Sequence, residues 1–119
     1  MENVRTVAKN ALKKVCKVMD EDQAATNREK EYATVYIVSG VYTEYANGKP
    51  TQRRDNVDIN IYAVDIKRLD ELIAKVEPAM RAAGFIPQDL PQDLGEDQNQ
   101  QMFGAAQEFA IFRMVPGGV

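Results

Sequence analysis

The chain predicts an α+β fold: a small antiparallel sheet with two helices packed on one face, in the order α-β-β-α-β, with room for one extra short strand. Three observations lead there. Two stretches repeat apolar residues at helical spacing, at residues 3–19 and 65–83. Between them lie β-branched and aromatic segments joined through Asn47-Gly48, a pair suited to a hairpin turn. Asp65 directly follows the second of these segments, where a helix cap belongs.

The first helix is expected over about Asn3 to Met19. Val4, Val7, Ala8, Ala11, Leu12, Val15, Val18 and Met19 share one face, and Arg5, Lys9, Lys13 and Lys17 form a stripe beside it. A polar connection follows, from Asp20 to Lys30. A calcium loop on Asp20 and Asp22 fails, because no glycine follows at the sharp-turn position and no bidentate acid closes it. The run from Tyr32 to Tyr45 reads as a long strand, with Ser39-Gly40 as a bulge. After Asn47-Gly48, residues Lys49, Pro50, Thr51 and Gln52 are expected to lengthen the loop. Arg53-Arg54-Asp55 then leads into a strand in which Val57, Ile59, Ile61 and Ala63 alternate with Asp58, Asn60 and Tyr62. The helix begun by Asp65 places Leu69, Leu72, Ile73, Val76, Met80 and Ala83 on one face, with Pro78 on the polar side and Gly84 as its left-handed stop. The acidic segment of about 87–101, rich in Pro, Gln and Asp, is expected to be a flexible loop. Phe109 to Val115 supplies the last strand, and 116–119 a short tail.

With 119 residues, 45% of them hydrophobic and 28% charged, residues 1–119 are expected to form one domain around one two-layer core. No apolar run approaches a membrane span, and the N-terminus lacks the core of a signal peptide. Cys16 is the only cysteine, so an intrachain disulfide is excluded and a soluble intracellular setting is expected. A net charge of -3 argues against a general nucleic-acid binder. That charge is uneven. Residues 1–19 carry Arg5, Lys9, Lys13, Lys14 and Lys17 against Glu2 alone. Residues 86–108 carry Asp89, Asp93, Glu96, Asp97 and Glu108 with no basic residue. Such an asymmetry concerns partners rather than fold.

Catalytic chemistry finds little support. The chain has no His, no phosphate loop, no dinucleotide-binding glycine motif and no zinc-ligand cluster, and Cys16 has no base to activate it. Asp65-Ile66-Lys67 has the acid-x-lysine spacing of magnesium-dependent nucleases, with Asp58 or Glu44 as a second acid. Capping accounts for Asp65, however, and the solvent face of the helix accounts for Lys67. Neither a catalytic, a metal nor a cofactor site is assigned. Arg53 and Arg54 suit phosphate contacts less well than they suit charged residues guarding a hairpin edge.

Tyr36-Ile37-Val38, the Arg54-Asp-Asn-Val-Asp-Ile-Asn-Ile-Tyr-Ala63 strand, Met80-Arg-Ala-Ala-Gly-Phe85 and Phe109-Ala-Ile-Phe-Arg113 together resemble the tail-completion family of long-tailed bacteriophages and prophages, also called tail-terminator or head–tail joining proteins. The resemblance spans nearly the whole chain, and the acidic stretch of 87–101 departs from the family pattern. It implies a structural virion protein without catalysis, found in the tail or neck and in the host cytoplasm during assembly. Its partners would be copies of itself in a ring (usually a hexamer, monomeric before assembly in some members), the tail-tube protein and the head connector. It implies no membrane and no specific nucleic acid. Arg5, Lys9, Lys13 and Lys17 would meet Asp89, Asp93, Glu96 and Asp97 of a neighbouring copy. Asn47, Lys49, Arg53 and Arg54, in the segment of 46–54, would face tube or connector. The alternatives are another neck component, a generic α+β adaptor that binds through its sheet face, and the nuclease.

Overall fold

The computed structural model describes residues 3–20, 29–98 and 101–115. Two helices cover one face of a five-stranded antiparallel sheet, an α+β fold in the order α-β-β-α-β-β-β. Helix α1 spans Val4–Leu12 and α2 spans Ile66–Ala82. The strands are β1 (Glu31–Ala46), β2 (Lys49–Ala63), β3 (Ile86–Pro87), β4 (Gln92–Asp97) and β5 (Met102–Met114). The sheet runs β1-β2-β5-β3, and β4 also pairs with β5.

Asn3 starts α1 by accepting a hydrogen bond from the Arg5 backbone N–H at 2.8 Å. The helix ends at Leu12, seven residues before the expected Met19. Beyond it the chain tightens into turns and then extends, so that Val18 forms a parallel bridge with Ala33 of β1. Ala33 N donates to Lys17 O at 2.8 Å, and Met19 N donates to Ala33 O at 2.9 Å. The apolar pattern persists past Leu12 because Val15, Cys16 and Val18 still pack on the core, but as extended chain. Backbone partners offered by the sheet edge outcompete continued helix there.

Asn47 (φ 52°) and Gly48 (φ 77°) form a tight two-residue turn. The expected loop of Lys49 to Gln52 is therefore strand, and so are Arg53 and Arg54. Both central residues of the turn tolerate positive φ, which lets the ladder continue to the tip. The anticipated bulge lies between Ile37 and Ser39. Two more register shifts follow, between Tyr42 and Glu44 and between Glu44 and Tyr45.

Asp65 caps α2 by accepting from Arg68 N at 2.7 Å, an arrangement worth about 1 kcal/mol. Arg68 then reaches Glu31 with two hydrogen bonds, at 2.6 and 3.0 Å, tying the start of α2 to the start of β1. That contact holds the Glu31 carboxyl below its ordinary range. Pro78 lies inside α2 on an exposed position, so no core contact is lost. The helix stops at Gly84 (φ 99°): Gly84 N donates to Arg81 O, and Phe85 N donates to Met80 O. Phe85 and Met80 are both buried, completing the apolar clasp of this motif.

The core gathers Leu69, Leu72, Val76 and Met80 of α2 with Ala8, Ala11 and Leu12 of α1. Facing them are Val35, Val57, Ile59, Ile61, Phe109 and Ile111 from alternate positions of the strands. Each large side chain buried there contributes about 1.5–3 kcal/mol.

The segment expected to be a flexible loop instead supplies β3 and β4, which pair with β5. Its strand character rests on backbone bonding to the edge of β5, not on apolar side chains, and Gly95 (φ 80°) follows the register shift in β4. The last strand begins at Met102 rather than Phe109, long enough to serve β2 on one side and β3 and β4 on the other. Most of the polar connection, including Asp22, and the 116–119 tail lie outside the described residues.

Candidate assembly surface

The two strands of the hairpin have 16 and 15 residues, about 50 Å of strand at 3.3 Å per residue. Helix α2, with 17 residues, covers about 25 Å. Half of the hairpin therefore extends beyond the helices. Joined there by the end of β5, it forms a three-stranded arm. Its rows run Gly40–Asp55–Ile111, Val41–Arg54–Phe112, Tyr42–Arg53–Arg113 and Glu44–Gln52–Met114 across β1, β2 and β5.

The arm exposes large apolar side chains. Tyr45 is 63% exposed, Met114 69% and Tyr42 52%, with Ile37, Val38, Val41 and Phe112 also at the surface. Tyr42 and Tyr45 meet edge to face, their ring centres 6.4 Å apart. Among the described residues, β1 has no strand neighbour on its outer side beyond the bridge at Ala33. From Val35 to Ala46 it carries one charged residue, Glu44, and neither lysine nor proline. Edge strands that stay unpaired are usually guarded by such residues. This one has register shifts at three points but, apart from Glu44, no charge along that stretch.

The arm is stiffened by a buried charge. Asp55 is 2% exposed; its Oδ1 accepts from Arg53 Nη2 at 2.6 Å and its Oδ2 from Arg113 Nη2 at 3.1 Å. Gly40 stands opposite, and a Cβ there would lie 2.7 Å from Oδ1, so the glycine leaves the carboxylate its space. On the other face Arg54 Nε donates to Asn56 Oδ1, and Asn56 Nδ2 donates to Glu108 Oε2 at 2.8 Å. Arg53 and Arg54, expected as loop cations, thus sit in the central strand, turned to opposite faces and each held by a neighbour. Of the other two residues assigned to tube or connector, Asn47 forms the exposed tip and Lys49 begins β2.

The oppositely charged groups lie on opposite sides of the body. Helix α1 packs over β1 and β2, whereas β4 lies beyond β5. Lys9 pairs with Asp20, and Lys17 pairs with Glu29 at 3.0 Å. Arg5, Lys13 and Lys14 are exposed and make no ion pair among the described residues. Asp93 and Glu96 are exposed on β4, and Asp97 is half-buried. Asp89 serves the fold itself, since its Oδ1 accepts from Glu108 N at 2.9 Å and its carbonyl accepts from Gln107 Nε2 at 3.0 Å. The fold does not bring the two sets together within one copy.

Elsewhere the chemistry is sparse. Asp65 is occupied as a cap, and Lys67 is exposed. Among the described residues, no three His, Cys, Asp or Glu side chains gather as a metal site, and no helix is long and apolar enough to cross a membrane. Burial first, and the Glu31 charge second, push the Cys16 thiol up to about 11. A cavity of about 190 Å³ opens between the start of α2 and β4, lined by Ile66, Leu69, Phe103 and Asp93.

The arm's apolar surface was not anticipated from the sequence, although its signal was present. Ile37, Val38, Val41 and Tyr42 fall on both parities of the strand, where a strand with one wet face would alternate. A scan of the chain against protein-family models finds no match, and neither does a search of curated proteins.

Proposed function

We propose that this chain is a structural, non-catalytic virion protein of the phage or prophage tail-completion type, which forms a ring that caps the tail tube and joins it to the head. One observation carries the reading: an arm that exposes large apolar side chains along an unpaired edge, attached to a body with opposite charges on opposite sides. A protein that worked alone would have reason to protect such an edge. A protein that completes its surface by assembly has reason to keep it. The charge distribution favours head-to-tail contacts, which close into rings when the rotation between copies is right.

The test is assembly itself. Purified protein is examined by light scattering and negative-stain microscopy, alone and with isolated tail tubes. Rings, or protein bound at tube ends, are expected. A monomer at every concentration that ignores tube ends would sink the reading.

A further inference from the structure

We infer that copies of this chain join through their arms, the open edge of β1 in one copy adding to the open edge of β5 in the next. This rests on the ring reading above and names the contact that makes the ring. The two edges share a level. In the row Val41–Arg54–Phe112, Val41 lies on one margin of the arm and Phe112 on the other. β3 pairs with β5 only up to Ala110, so beyond that residue β5 has no described strand on its outer side. The open edges therefore stand side by side at one height, residues 40–44 on β1 and 111–114 on β5.

Direction agrees as well. β1 is antiparallel to β2, and β2 is antiparallel to β5, so β1 and β5 point the same way. Sliding one copy sideways in the sheet plane places the two edges together as a parallel pair, with no displacement along the strands. A head-to-tail contact of this kind closes into a ring when a rotation accompanies the sideways step, as opposed to an open filament.

The body supports the same movement independently. Its row runs Val18–Ala33–Ile61–Ala105–Asp93. The basic segment that ends in Lys17 lies at one end of the row, and the acidic strand β4 lies at the other. A sideways step that joins the arms thus also turns Lys13 and Lys14 toward Asp93 and Glu96 of the neighbour. The occupant of the open edge is accordingly a second copy, chosen by charge complementarity as well as by register. The arm is three strands wide, whereas the body row spans five, a difference of about 10 Å at 4.8 Å per strand. Copies joined by their arms must splay, with bodies outward and arms toward the common axis.

Cross-linking tests this directly. Two single variants, Val41→Cys and Phe112→Cys, are made in a Cys16→Ala background, mixed in equal amounts and oxidised. Within one copy these positions are two strands apart, about 10 Å, beyond the reach of a disulfide. A cross-linked dimer that appears only on mixing is the expected result. A dimer formed by Val41→Cys alone would show β1 pairing with itself and overturn the proposal, as would no dimer from the mixture. The pair Glu44→Cys and Met114→Cys, two rows nearer the tip, repeats the test if either first variant fails to fold. Rings without these cross-links would overturn the arm contact and leave the tail-completion reading standing. Cross-linked arms on a protein that ignores tube ends would do the reverse.

Discussion

Replacing Gly40 by alanine probes the ion-paired centre of the arm. A Cβ on Gly40 would lie 2.7 Å from Asp55 Oδ1 and 3.4 Å from Arg53 Nη2. Asp55 cannot swing aside, because its side chain is short and both of its oxygens are engaged, one by Arg53 and the other by Arg113. An ordinary strand glycine changed to alanine gains about 0.5–1 kcal/mol, since the unfolded chain has less freedom to lose. Overpacking costs about 1–3 kcal/mol, and loosening a hydrogen bond to a charged group adds to it. The net expectation is a loss of about 1–3 kcal/mol, which in a domain of this size lowers Tm by roughly 4–12 °C.

Urea unfolding followed by circular dichroism reads this loss as a lower midpoint with an unchanged slope. The decisive control repeats the substitution in an Asp55→Ala background. There the clash is gone, and Gly40→Ala should be neutral or stabilise by up to about 1 kcal/mol. A Gly40→Ala protein as stable as its parent would refute the reasoning. Equal losses in both backgrounds would refute it too, because the cost would then lie in the backbone and not in the carboxylate.

Three further outcomes follow from the geometry. Gly104→Ala places a Cβ 2.8 Å from Tyr62 Cε1, whose ring is stacked on Tyr32 at 4.9 Å, so it should cost about 1–3 kcal/mol in the same urea assay; a Tyr62→Ala background should remove that loss. The Asp58 carboxyl is pushed up, first by burial and then by Glu108 and Asp89. A carboxyl that holds its proton more tightly when folded costs stability once ionised, and that stability returns as pH falls through its folded value. Asp58→Asn should therefore raise the urea midpoint at pH 7, with the gap closing toward about pH 4; equal midpoints at pH 7 would contradict this. With its thiol at about 11 rather than 9.0, Cys16 should react with a disulfide reagent at pH 8 roughly 100-fold more slowly than a free thiol, and rapidly in denaturant. Prompt labelling of the folded protein would show that the thiol is not held as described.

What could be read from the sequence was local chemistry. Asn47-Gly48, Asp65 and Gly84 each fill a position that few other residues can, and each does so where expected. The bulge falls at Val38, one residue before the Ser39-Gly40 that suggests it, and the inward faces of β2 and α2 were legible because spacing alone decides them. The end of α1 was not legible, because Val15 and Val18 satisfy helical spacing and pack equally well as extended chain. Only the partner at Ala33 decides between the two, and that partner is distant in sequence. Strand β4 escaped for a related reason. Gln92 to Asp97 offers no apolar alternation, and its order comes from an edge that β5 leaves open. Of the candidate interface, the opposed charges could be seen in the sequence, but their placement on opposite sides of the body could not.

The arm is where this chain departs from the rules its body obeys. The body alternates apolar and polar residues along β2, caps its helices and buries most of its large side chains, with Leu90, Ile66 and Leu94 as exposed exceptions. Within one molecule, the arm exposes tyrosines, valines and a methionine, leaves an edge unpaired and buries an aspartate between two arginines. A buried ion pair seldom stabilises more than apolar packing of the same volume would. Stability alone therefore does not explain Asp55. Position does: it fixes Arg53 and Arg113 on β2 and β5, at the root of the arm. A rigid margin of this kind loses little conformational entropy on association, which is the condition under which a narrow strand-to-strand contact can hold. Departures from local rules that cluster in one place are the expected signature of a working surface. Here they cluster on the same rows that align β1 with β5.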